Sequence, residues 1–242
     1  VVVEIGAGFG VLTQNIAPCA GRLIAVEIDL RLVEILRKEL AQFDCVEIFP
    51  GDILKFDFTY ISKQYKAKLK VVGNVPYHIS SPVVFHLLAH RSAIRDFTLM
   101  LQKEVVERLV SAPGCKSYGV PSVLLQMYAD LKKLFDVSPG CFYPPPKVSS
   151  SVLQGEFLDT PRFALEDEML FNRLVRASFV QRRKMLANNL KQAAFLKELG
   201  EENIKFALDQ ARIDGKRRGE TLSVEEFGAL SNLLKNQLTN RG

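Results

Sequence analysis

The sequence opens with VVVEIGAGFG (residues 1–10), an apolar run that leads directly into three glycines spaced two residues apart. A short apolar run bounded by glycine is typical of a strand that is covered on both faces of a parallel sheet. Glycines after such a strand let the backbone turn tightly and approach a ligand closely. The stretch therefore predicts a strand, a glycine turn and a helix, in which the turn is either purely structural or part of a ligand site.

The position of this stretch is itself unusual. Val1 lies inside the predicted strand, and the chain has no initiator methionine. A parallel-sheet protein would not normally begin inside its central strand. We expect that the natural N-terminal segment is missing from this chain.

Strand and helix patterns alternate along the first two thirds of the chain. We predict strands at residues 1–5, 22–28, 45–49, 69–73 and 96–101, and a closing pair at 134–137 and 148–157. Helical patterns separate most of them, and Asp29 is placed to cap the helix that runs to Leu40. This alternation predicts an α/β fold, a doubly wound Rossmann-like sheet with ligands at the carboxyl ends of its strands.

The strand pattern ends near residue 160. One long helix is predicted over residues 168–194, and shorter ones over 201–212 and 223–238, the last with a capping box from Ser223 to Glu226. We therefore predict a sheet domain over residues 1–159 and a small all-helical domain over residues 160–242. The segment 111–121, with two glycines and two prolines, predicts a mobile loop in the first domain.

Composition excludes several classes of protein. The chain is 48% hydrophobic and 24% charged, as in ordinary globular proteins, and no apolar run reaches the length of a membrane span. Four widely spaced cysteines and three histidines show no metal-ligand spacing, which indicates free thiols in a reducing compartment and no metal. We also expect no signal peptide and a cytoplasmic location. We expect no membrane or metal partner.

The charge distribution favours the helical domain as the basic part of the chain. The net charge is +5 with an isoelectric point near 9.0. Residues 160–242 carry 15 Lys and Arg against 11 Asp and Glu, a net charge of +4, whereas residues 1–159 carry a net charge of +1. Such a surplus permits a nucleic-acid partner, although charge runs are often only solvated surface.

Polar residues follow three successive predicted strands. The glycine loop follows the first strand, Glu27 ends the second, and Asp52 follows the third. Glu27 is suited to bind the two hydroxyls of a ribose, and the Asp52 carboxylate can accept a hydrogen bond from an adenine amino group. No lysine or serine of a phosphate loop is present. These residues predict a nucleoside pocket without a diphosphate, which favours S-adenosylmethionine over NAD.

The fourth predicted strand ends in Asn-Val-Pro-Tyr (74–77). The Asn74 side-chain oxygen and a backbone carbonyl, that of Val75, can accept hydrogen bonds from both N–H groups of an exocyclic amine. Pro76 stiffens the turn, and the Tyr77 ring can stack on a base. Taken alone, the four residues also fit an ordinary strand-to-loop turn.

Several motifs together resemble the ribosomal RNA adenine N6-dimethyltransferases, and the resemblance runs nearly end to end. They are the segments 4–10, 26–29, 51–52, 74–82, 101–109, 142–148 and 179–190. The resemblance implies S-adenosylmethionine as cofactor, held by Glu4, Gly6, Gly8, Gly10, Glu27, Asp52 and Asn74. It implies that Asn74, Val75, Pro76 and Tyr77 bind the target adenine, and that Phe142 packs on the flipped base opposite Tyr77.

The helical segments point to one branch of this family. Gln-Arg-Arg-Lys (181–184) and Arg-Arg-Gly-Glu-Thr-Leu-Ser (217–223) are similar to the bacterial small-subunit enzyme. The resemblance implies dimethylation of two adjacent adenosines near the 3′ end of the small-subunit RNA, and a role in late small-subunit assembly. We expect a monomer that acts on this RNA or on the pre-30S particle. The predicted RNA contacts are Lys116, Tyr118, Lys147, Arg182, Arg183 and Lys184.

Three other interpretations remain open. One is a large-subunit RNA methylase of the erythromycin-resistance type, and another is a non-catalytic assembly or transcription factor with the same fold. The third is a DNA adenine methylase, although such enzymes commonly have Asn/Asp-Pro-Pro-Tyr where this chain has Val75.

The sequence also departs from the family pattern at Val120 and Pro121, where arginine and leucine are common. We expect that the missing N-terminal segment is the basic segment that the family has there.

Overall fold

A computed structural model describes residues 1–239 of the chain. Its seven strands form one sheet in the order β3-β2-β1-β4-β5-β7-β6. The strands are β1 Val2–Ile5, β2 Leu23–Glu27, β3 Val46–Pro50, β4 Leu69–Asn74, β5 Ile94–Gln102, β6 Ala129–Val137 and β7 Ser150–Phe157. Strands β1 to β5 pair in parallel, and β7 runs antiparallel to β5. The predicted α/β sheet is confirmed.

Ten α-helices accompany the sheet in the described part of the chain. They are α1 Val11–Ile16, α2 Leu30–Glu39, α3 Phe58–Tyr65, α4 Ser80–Ala89, α5 Lys103–Leu109, α6 Val120–Gln126, α7 Glu168–Ser178, α8 Leu186–Gln192, α9 Gly200–Gln210 and α10 Val224–Thr239. None of the helices within residues 1–239 combines the length and apolar character that a membrane span requires.

The strand order reverses between β1 and β4, which lie side by side although two strands separate them in sequence. Their register places Ile5 beside Gly73. A Cβ atom on Gly73 would lie only 2.8 Å from the Ile5 Cβ atom, so glycine is needed for this close pairing. The glycine loop after β1 and the Asn-Val-Pro-Tyr turn after β4 therefore emerge next to each other, at the point where ligands bind in sheets of this type.

The helix α3 was not predicted from the sequence. Asp57 caps it by accepting a hydrogen bond from the Tyr60 N–H at 2.9 Å. Its residues are rich in aromatic and β-branched types, which have low helix propensity. The helix is held instead by tertiary contacts, since Phe58 is fully buried and its ring lies 5.0 Å from that of Phe56 and 5.5 Å from that of His86.

The chain divides into two compact units, each with its own interior. The sheet unit is formed by Val1–Val106 and Asp130–Phe157. The helical unit is formed by Glu107–Ala129 and the chain from Leu158 onward. The division after Phe157 lies close to the predicted boundary at residue 160. The segment 107–129, which the sequence placed in the first domain, lies in the helical unit.

Hydrogen bonds explain why segment 107–129 joins the helical unit. The Tyr128 carbonyl accepts from the Leu158 N–H at 2.9 Å, and the Arg162 Nε donates to the Gln126 carbonyl at 2.6 Å. The Gly114 N–H donates to the Glu220 carbonyl at 2.7 Å. These partners lie 30 to more than 100 positions apart in the sequence, so no local pattern could indicate them. The predicted mobile loop is instead bonded into its unit.

The single helix predicted over residues 168–194 is wrong. The structure has two helices, α7 and α8, separated by a turn at residues 179–185. The Asn189 side chain explains the break, because its Nδ2 donates to the Ser178 carbonyl at 3.0 Å and to the Gln181 carbonyl at 3.2 Å. These bonds satisfy carbonyls at the end of α7 that a continuing helix would have paired. The basic residues Arg182, Arg183 and Lys184 therefore lie on a turn.

The caps predicted from the sequence are confirmed. Asp29 accepts from the Arg31 N–H at 2.9 Å at the start of α2. At the start of α10, the Ser223 N–H donates to Glu226 at 2.7 Å, and the Glu226 N–H donates to the Ser223 hydroxyl at 3.1 Å. These are the reciprocal bonds of a capping box, and they fix the start of the last helix.

Candidate active site

The glycine loop after β1 has a backbone that only glycine adopts readily. Gly6, Gly8 and Gly10 have φ values of +66°, +58° and +79°. The loop is anchored to β2, because the Gly6 N–H donates to the Val26 carbonyl at 2.9 Å. A Cβ atom built on Gly6 would meet no other atom within 4 Å, so the loop backbone is open on that side. A ligand can therefore approach it closely.

The Glu27 carboxylate connects the end of β2 to this loop. It is buried, and one of its oxygens accepts from the Gly8 N–H at 2.8 Å. The other accepts from the N–H groups of Ile28 and Asp29, each at 2.9 Å. Carboxylate oxygens have about four acceptor directions in all, so Glu27 can hold the loop and still accept from a ligand hydroxyl.

Asp52 lies at the end of the next strand, as predicted. Its carboxylate accepts from the Leu54 N–H at 2.9 Å and caps the short turn Ile53–Lys55. The Gly51 N–H donates to the Glu27 carbonyl at 2.8 Å, which ties this turn to the end of β2. The structure thus brings the glycine loop, Glu27 and Asp52 to one edge of the sheet.

Glu4 is the most unusual ionisable residue of this edge. It is only 2% exposed, and its Oε2 has no hydrogen-bond partner within residues 1–239. Burial raises the pKa of Glu4 from 4.5 to about 7, and the Glu27 carboxylate adds to this effect, whereas the Thr13 hydroxyl opposes it. The glycine loop is therefore built next to a carboxyl group that is easily protonated.

We expect Glu4→Gln to stabilise the ligand-free protein at high pH. When the pKa of a carboxyl group is higher in the folded state than in the unfolded state, the free energy of unfolding falls as the pH rises between these two pKa values. The gain from the substitution should be absent below pH 4.5, grow up to about pH 7 and then level off. A shift of this size corresponds to about 3 kcal/mol of unfolding free energy at most.

Denaturant titrations of the parent and the variant between pH 4.5 and 8.5 measure this difference. Glu34→Gln is the matched control, because Glu34 is an exposed glutamate on α2. Its substitution shows what the same change of side chain does to stability at an exposed position. A constant difference for Glu4→Gln would contradict the raised pKa.

The turn after β4 is held rigidly at its centre. The Val75 N–H donates to the Met100 carbonyl of β5 at 3.1 Å, and the Val75 side chain is fully buried. Asn74 on one side and Pro76 on the other are exposed. The buried valine anchors the turn to the sheet, so the Asn74 side chain is presented to solvent from a fixed backbone.

A cleft of about 320 Å³ joins two motifs that lie almost 70 residues apart in the sequence. Its lining residues are Asn74, Val75, Pro76, Tyr77, Phe142, Tyr143, Pro144 and Pro146. All five residues predicted to bind the target base line this one cleft. Tyr143, Pro144 and Pro146 lie in the segment 142–148 that the resemblance implies to contact the base, although only Phe142 was assigned a role there.

A second, larger cleft lies in the helical unit. It has a volume of about 460 Å³ and is lined by α8, α9 and the turn at residues 214–216. An ion pair between Lys191 and Glu201, 2.6 Å long, forms part of its wall. The cleft has no aromatic side chain for a base, and its lysines are balanced by acidic residues. It is not a candidate for the active site.

The predicted RNA contacts differ in their accessibility. Lys116, Lys147, Arg183 and Lys184 are exposed. Tyr118 is 0% exposed, so its side chain has no surface for RNA, and we remove it from the proposed contacts. It is instead a core residue of the helical unit, where its ring lies 6.3 Å from that of Phe179.

Arg182 also has an internal role. Its Nη2 donates to the carbonyls of Lys116 and Tyr118 at 2.7 and 2.6 Å, and its Nε contacts Glu220 at 3.0 Å. The guanidinium thereby joins three segments of the helical unit. This geometry favours a structural role over a contact to phosphate.

The residues at the sheet edge fit S-adenosylmethionine. The open glycine backbone, the buried carboxylate of Glu27 and the unpaired Oε2 of Glu4 offer acceptors and space for a nucleoside with a charged amino-acid tail. No phosphate-binding lysine is part of the glycine loop. No group of three or more His, Cys, Asp or Glu side chains in the described chain is arranged to hold a metal ion.

The glycine loop lies where the strand order reverses, and the Asn-Val-Pro-Tyr turn forms a cleft beside it. Together they define a class of protein, the Rossmann-like methyltransferases that act on amino groups of nucleobases. A sequence model described as "Ribosomal RNA adenine dimethylase" matches residues 1–230. The chain belongs to this family of ribosomal RNA adenine dimethyltransferases. It is an enzyme, as predicted, and its family implies the use of S-adenosylmethionine.

Individual relatives agree with the family. The "Ribosomal RNA small subunit methyltransferase A" of Syntrophus aciditrophicus is 44% identical over 234 residues, which cover 96% of this chain and 83% of the relative. The protein of the same name from Geobacter metallireducens is 45% identical over 231 residues, covering 95% of this chain and 83% of that relative.

Solved structures confirm the fold. A dimethyladenosine transferase from Plasmodium falciparum has a TM-score of 0.80 at 26% identity, covering 98% of this chain and 90% of that one. The 23S rRNA methyltransferase ErmE has a TM-score of 0.69 at 23% identity, with 97% and 90% covered. The predicted methyltransferase sheet with a helical C-terminal region is therefore confirmed.

Proposed function

We propose that this enzyme uses S-adenosylmethionine to dimethylate N6 of two adjacent adenosines near the 3′ end of small-subunit ribosomal RNA. The names of relatives with 44 and 45% identity support the small subunit as the substrate. The observation that carries the proposal is the single cleft formed by the 74–77 turn and the 142–146 turn. It brings the amide side chain of Asn74 and the aromatic rings of Tyr77 and Phe142 into one lining, as an adenine with an exocyclic amine requires.

The sheet edge would hold the cofactor. The loop of Gly6, Gly8 and Gly10 would accommodate the amino-acid tail, Glu27 the ribose hydroxyls and Asp52 the adenine amino group. When bound, S-adenosylmethionine supplies a methyl group on an already activated sulfonium. The register of β1 and β4 supports this arrangement, because it pairs Ile5 with Gly73, the residues that directly precede Gly6 and Asn74. The donor site and the target cleft would then adjoin.

The cleft residues would bind and orient the target base. Asn74 Oδ1 and the Val75 carbonyl accept hydrogen bonds from the two N6–H groups, which fixes the amine and favours its nucleophilic form. Tyr77 and Phe142 stack on the extruded base, and stacking of this kind contributes about 1–3 kcal/mol per base. Extrusion costs a few kcal/mol, and less from a loop than from a duplex.

Proton transfer needs no dedicated base in this scheme. None of the eight residues that line the cleft has a carboxylate or imidazole group. The amine loses its proton after methyl transfer, when its acidity is high enough for water to accept it. Catalysis then consists mostly of positioning.

Mapping of methylated adenosines tests the proposal. Small-subunit RNA from cells that lack this protein should contain unmethylated adenosines at two adjacent 3′-proximal positions, and the purified enzyme should dimethylate them. Methylation of large-subunit RNA alone would instead indicate the erythromycin-resistance type of activity. Methylation of DNA would indicate the third interpretation, and no methylation of any substrate would indicate a binding factor.

We further propose that the helical unit contacts the ribosomal particle in the cytoplasm, and that the enzyme acts as a monomer. The surplus of positive charge in residues 160–242 supports the RNA contact. Its exposed basic residues Lys116, Arg183 and Lys184 are the proposed contacts in this unit, and Lys147 is the proposed contact in the sheet unit.

We expect Arg183→Ala and Arg182→Ala to act differently. Arg183→Ala should make the salt dependence of particle binding shallower by about 0.7–0.9 log units for one lost phosphate contact, without changing the melting temperature. Arg182→Ala should lower the unfolding free energy by about 1–2 kcal/mol, because two carbonyls and Glu220 lose a charged donor that is partly solvent-screened.

Binding to small-subunit particles between 50 and 300 mM salt and thermal melting of both variants measure these effects. Each variant serves as the control for the other. A shallower salt slope for Arg182→Ala with an unchanged melting temperature would contradict its structural role. An unchanged slope for Arg183→Ala would remove it from the RNA contacts.

A further inference from the structure

Tyr77, a residue of the target cleft, makes one polar contact that the proposed function does not explain. The Tyr77 hydroxyl lies 2.8 Å from the Ser150 hydroxyl. Ser150 is the first residue of β7 and is only 1% exposed. The two residues lie 73 positions apart in the sequence, so only the folded chain brings them together. Tyr77 also lines the cleft, so this hydrogen bond connects a residue of the cleft to the buried start of β7.

The serine is held on a rigid backbone. In the antiparallel pairing of β5 and β7, Ser150 lies opposite Gln102. The preceding carbonyl, that of Ser149, accepts from the Lys103 N–H at 3.0 Å. The next residue, Ser151, donates its hydroxyl to Asp136 of β6 at 2.6 Å. A hydroxyl fixed in this way is a defined anchor point rather than an adaptable surface group.

The tyrosine, by contrast, lies outside the sheet. Tyr77 begins the short 3₁₀ turn Tyr77–Ile79 that follows β4. Without an anchor, its ring can rotate about two side-chain bonds, and a flat stacking partner is effective only in one orientation. The hydrogen bond to Ser150 removes this freedom at the far end of the ring.

We propose that Ser150 is a positioning residue, which fixes the Tyr77 ring in the orientation that receives the target base. The inference rests on the proposed function, because it assigns Tyr77 to stacking on an adenine. Ser150 is the first residue of β7, and the 142–146 turn that lines the same cleft precedes this strand in the sequence. Ser150 itself does not line the cleft and touches no reacting atom.

A double-mutant cycle tests the proposal. Tyr77→Phe keeps the ring and removes its hydroxyl, and Ser150→Ala removes the partner. Each single variant and the double variant should lower kcat for RNA methylation by the same factor, about tenfold, since all three lack one and the same hydrogen bond. The affinity for S-adenosylmethionine should not change, and Ser150→Thr, which retains the hydroxyl, should restore most of kcat.

Ser151→Ala is the matched control. Ser151 is also buried and hydrogen-bonded, but it is the next residue of the strand, so its side chain points to the other face of the sheet. Its substitution should lower the melting temperature while leaving kcat unchanged. An equal loss of kcat in Ser151→Ala and Ser150→Ala, or losses that add in the double variant, would overturn the proposal.

A second measurement does not depend on the RNA substrate. In protein labelled with ¹³C at the tyrosine ring, the Tyr77 resonance should move and broaden in Ser150→Ala and stay unchanged in Ser151→Ala. If the parent enzyme methylates no small-subunit adenosine, the proposed function fails, and this resonance still decides whether Ser150 holds the ring. An unchanged Tyr77 resonance in Ser150→Ala would overturn the anchor.

Discussion

Asn74→Ala should reduce methylation of small-subunit RNA by at least about a hundredfold while leaving cofactor affinity nearly unchanged. The side-chain oxygen of Asn74 is the proposed acceptor for the target amine, and removal of one positioned hydrogen-bonding group from a transition state typically lowers kcat by about 10²–10³. The backbone should not change, because the neighbouring Val75 stays buried and bonded to Met100.

Asn74→Asp is the matched control for this prediction. Aspartate keeps an acceptor oxygen at the same place, so this variant should retain more activity than the alanine variant. Methyl transfer and cofactor titration should be measured on the same protein preparations. The family resemblance also places Asn74 at the cofactor, and an equal loss of both properties in Asn74→Ala would assign it to that site rather than to the target amine.

Glu27→Ala should weaken S-adenosylmethionine binding by roughly ten- to hundredfold. A hydrogen bond to a charged acceptor contributes about 1.5–3 kcal/mol, and such a loss corresponds to this change in affinity. The structure adds a second reason, since the Gly8 N–H loses its acceptor as well and the glycine loop loses one of its bonds to the end of β2. Both effects act in the same direction.

Calorimetric titration of the cofactor measures the change. Glu47→Ala provides the control, because Glu47 lies on the adjacent strand β3 and pairs with Arg22 at 2.8 Å instead of with the glycine loop. It should leave the affinity unchanged. An unchanged affinity in Glu27→Ala would contradict the ribose assignment, and tighter binding of NAD than of S-adenosylmethionine would overturn the cofactor assignment as a whole.

The sequence by itself determined the sheet and the place of the site. Apolar runs bounded by glycine, and polar residues at strand ends, are local patterns that depend on a few neighbouring residues. They were sufficient to predict the five parallel strands, the caps at Asp29 and Ser223, and the part of the target cleft formed by residues 74–77, whereas Phe142 was implied by the resemblance to the family. Strand-end residues of a parallel sheet must lie at one edge, so their proximity follows from the topology alone.

Only the tertiary structure decided the roles of residues whose partners are distant in sequence. The burial of Tyr118, the internal bonds of Arg182 and the contact between Tyr77 and Ser150 depend on segments tens of residues away. The break between α7 and α8 likewise depends on the Asn189 side chain, which bonds back across 11 and 8 positions. The sequence around a basic or aromatic residue can be the same whether its side chain faces solvent or a buried carbonyl. Its role is fixed only when the folded chain supplies or withholds a partner, because an unpaired polar group in the interior is costly.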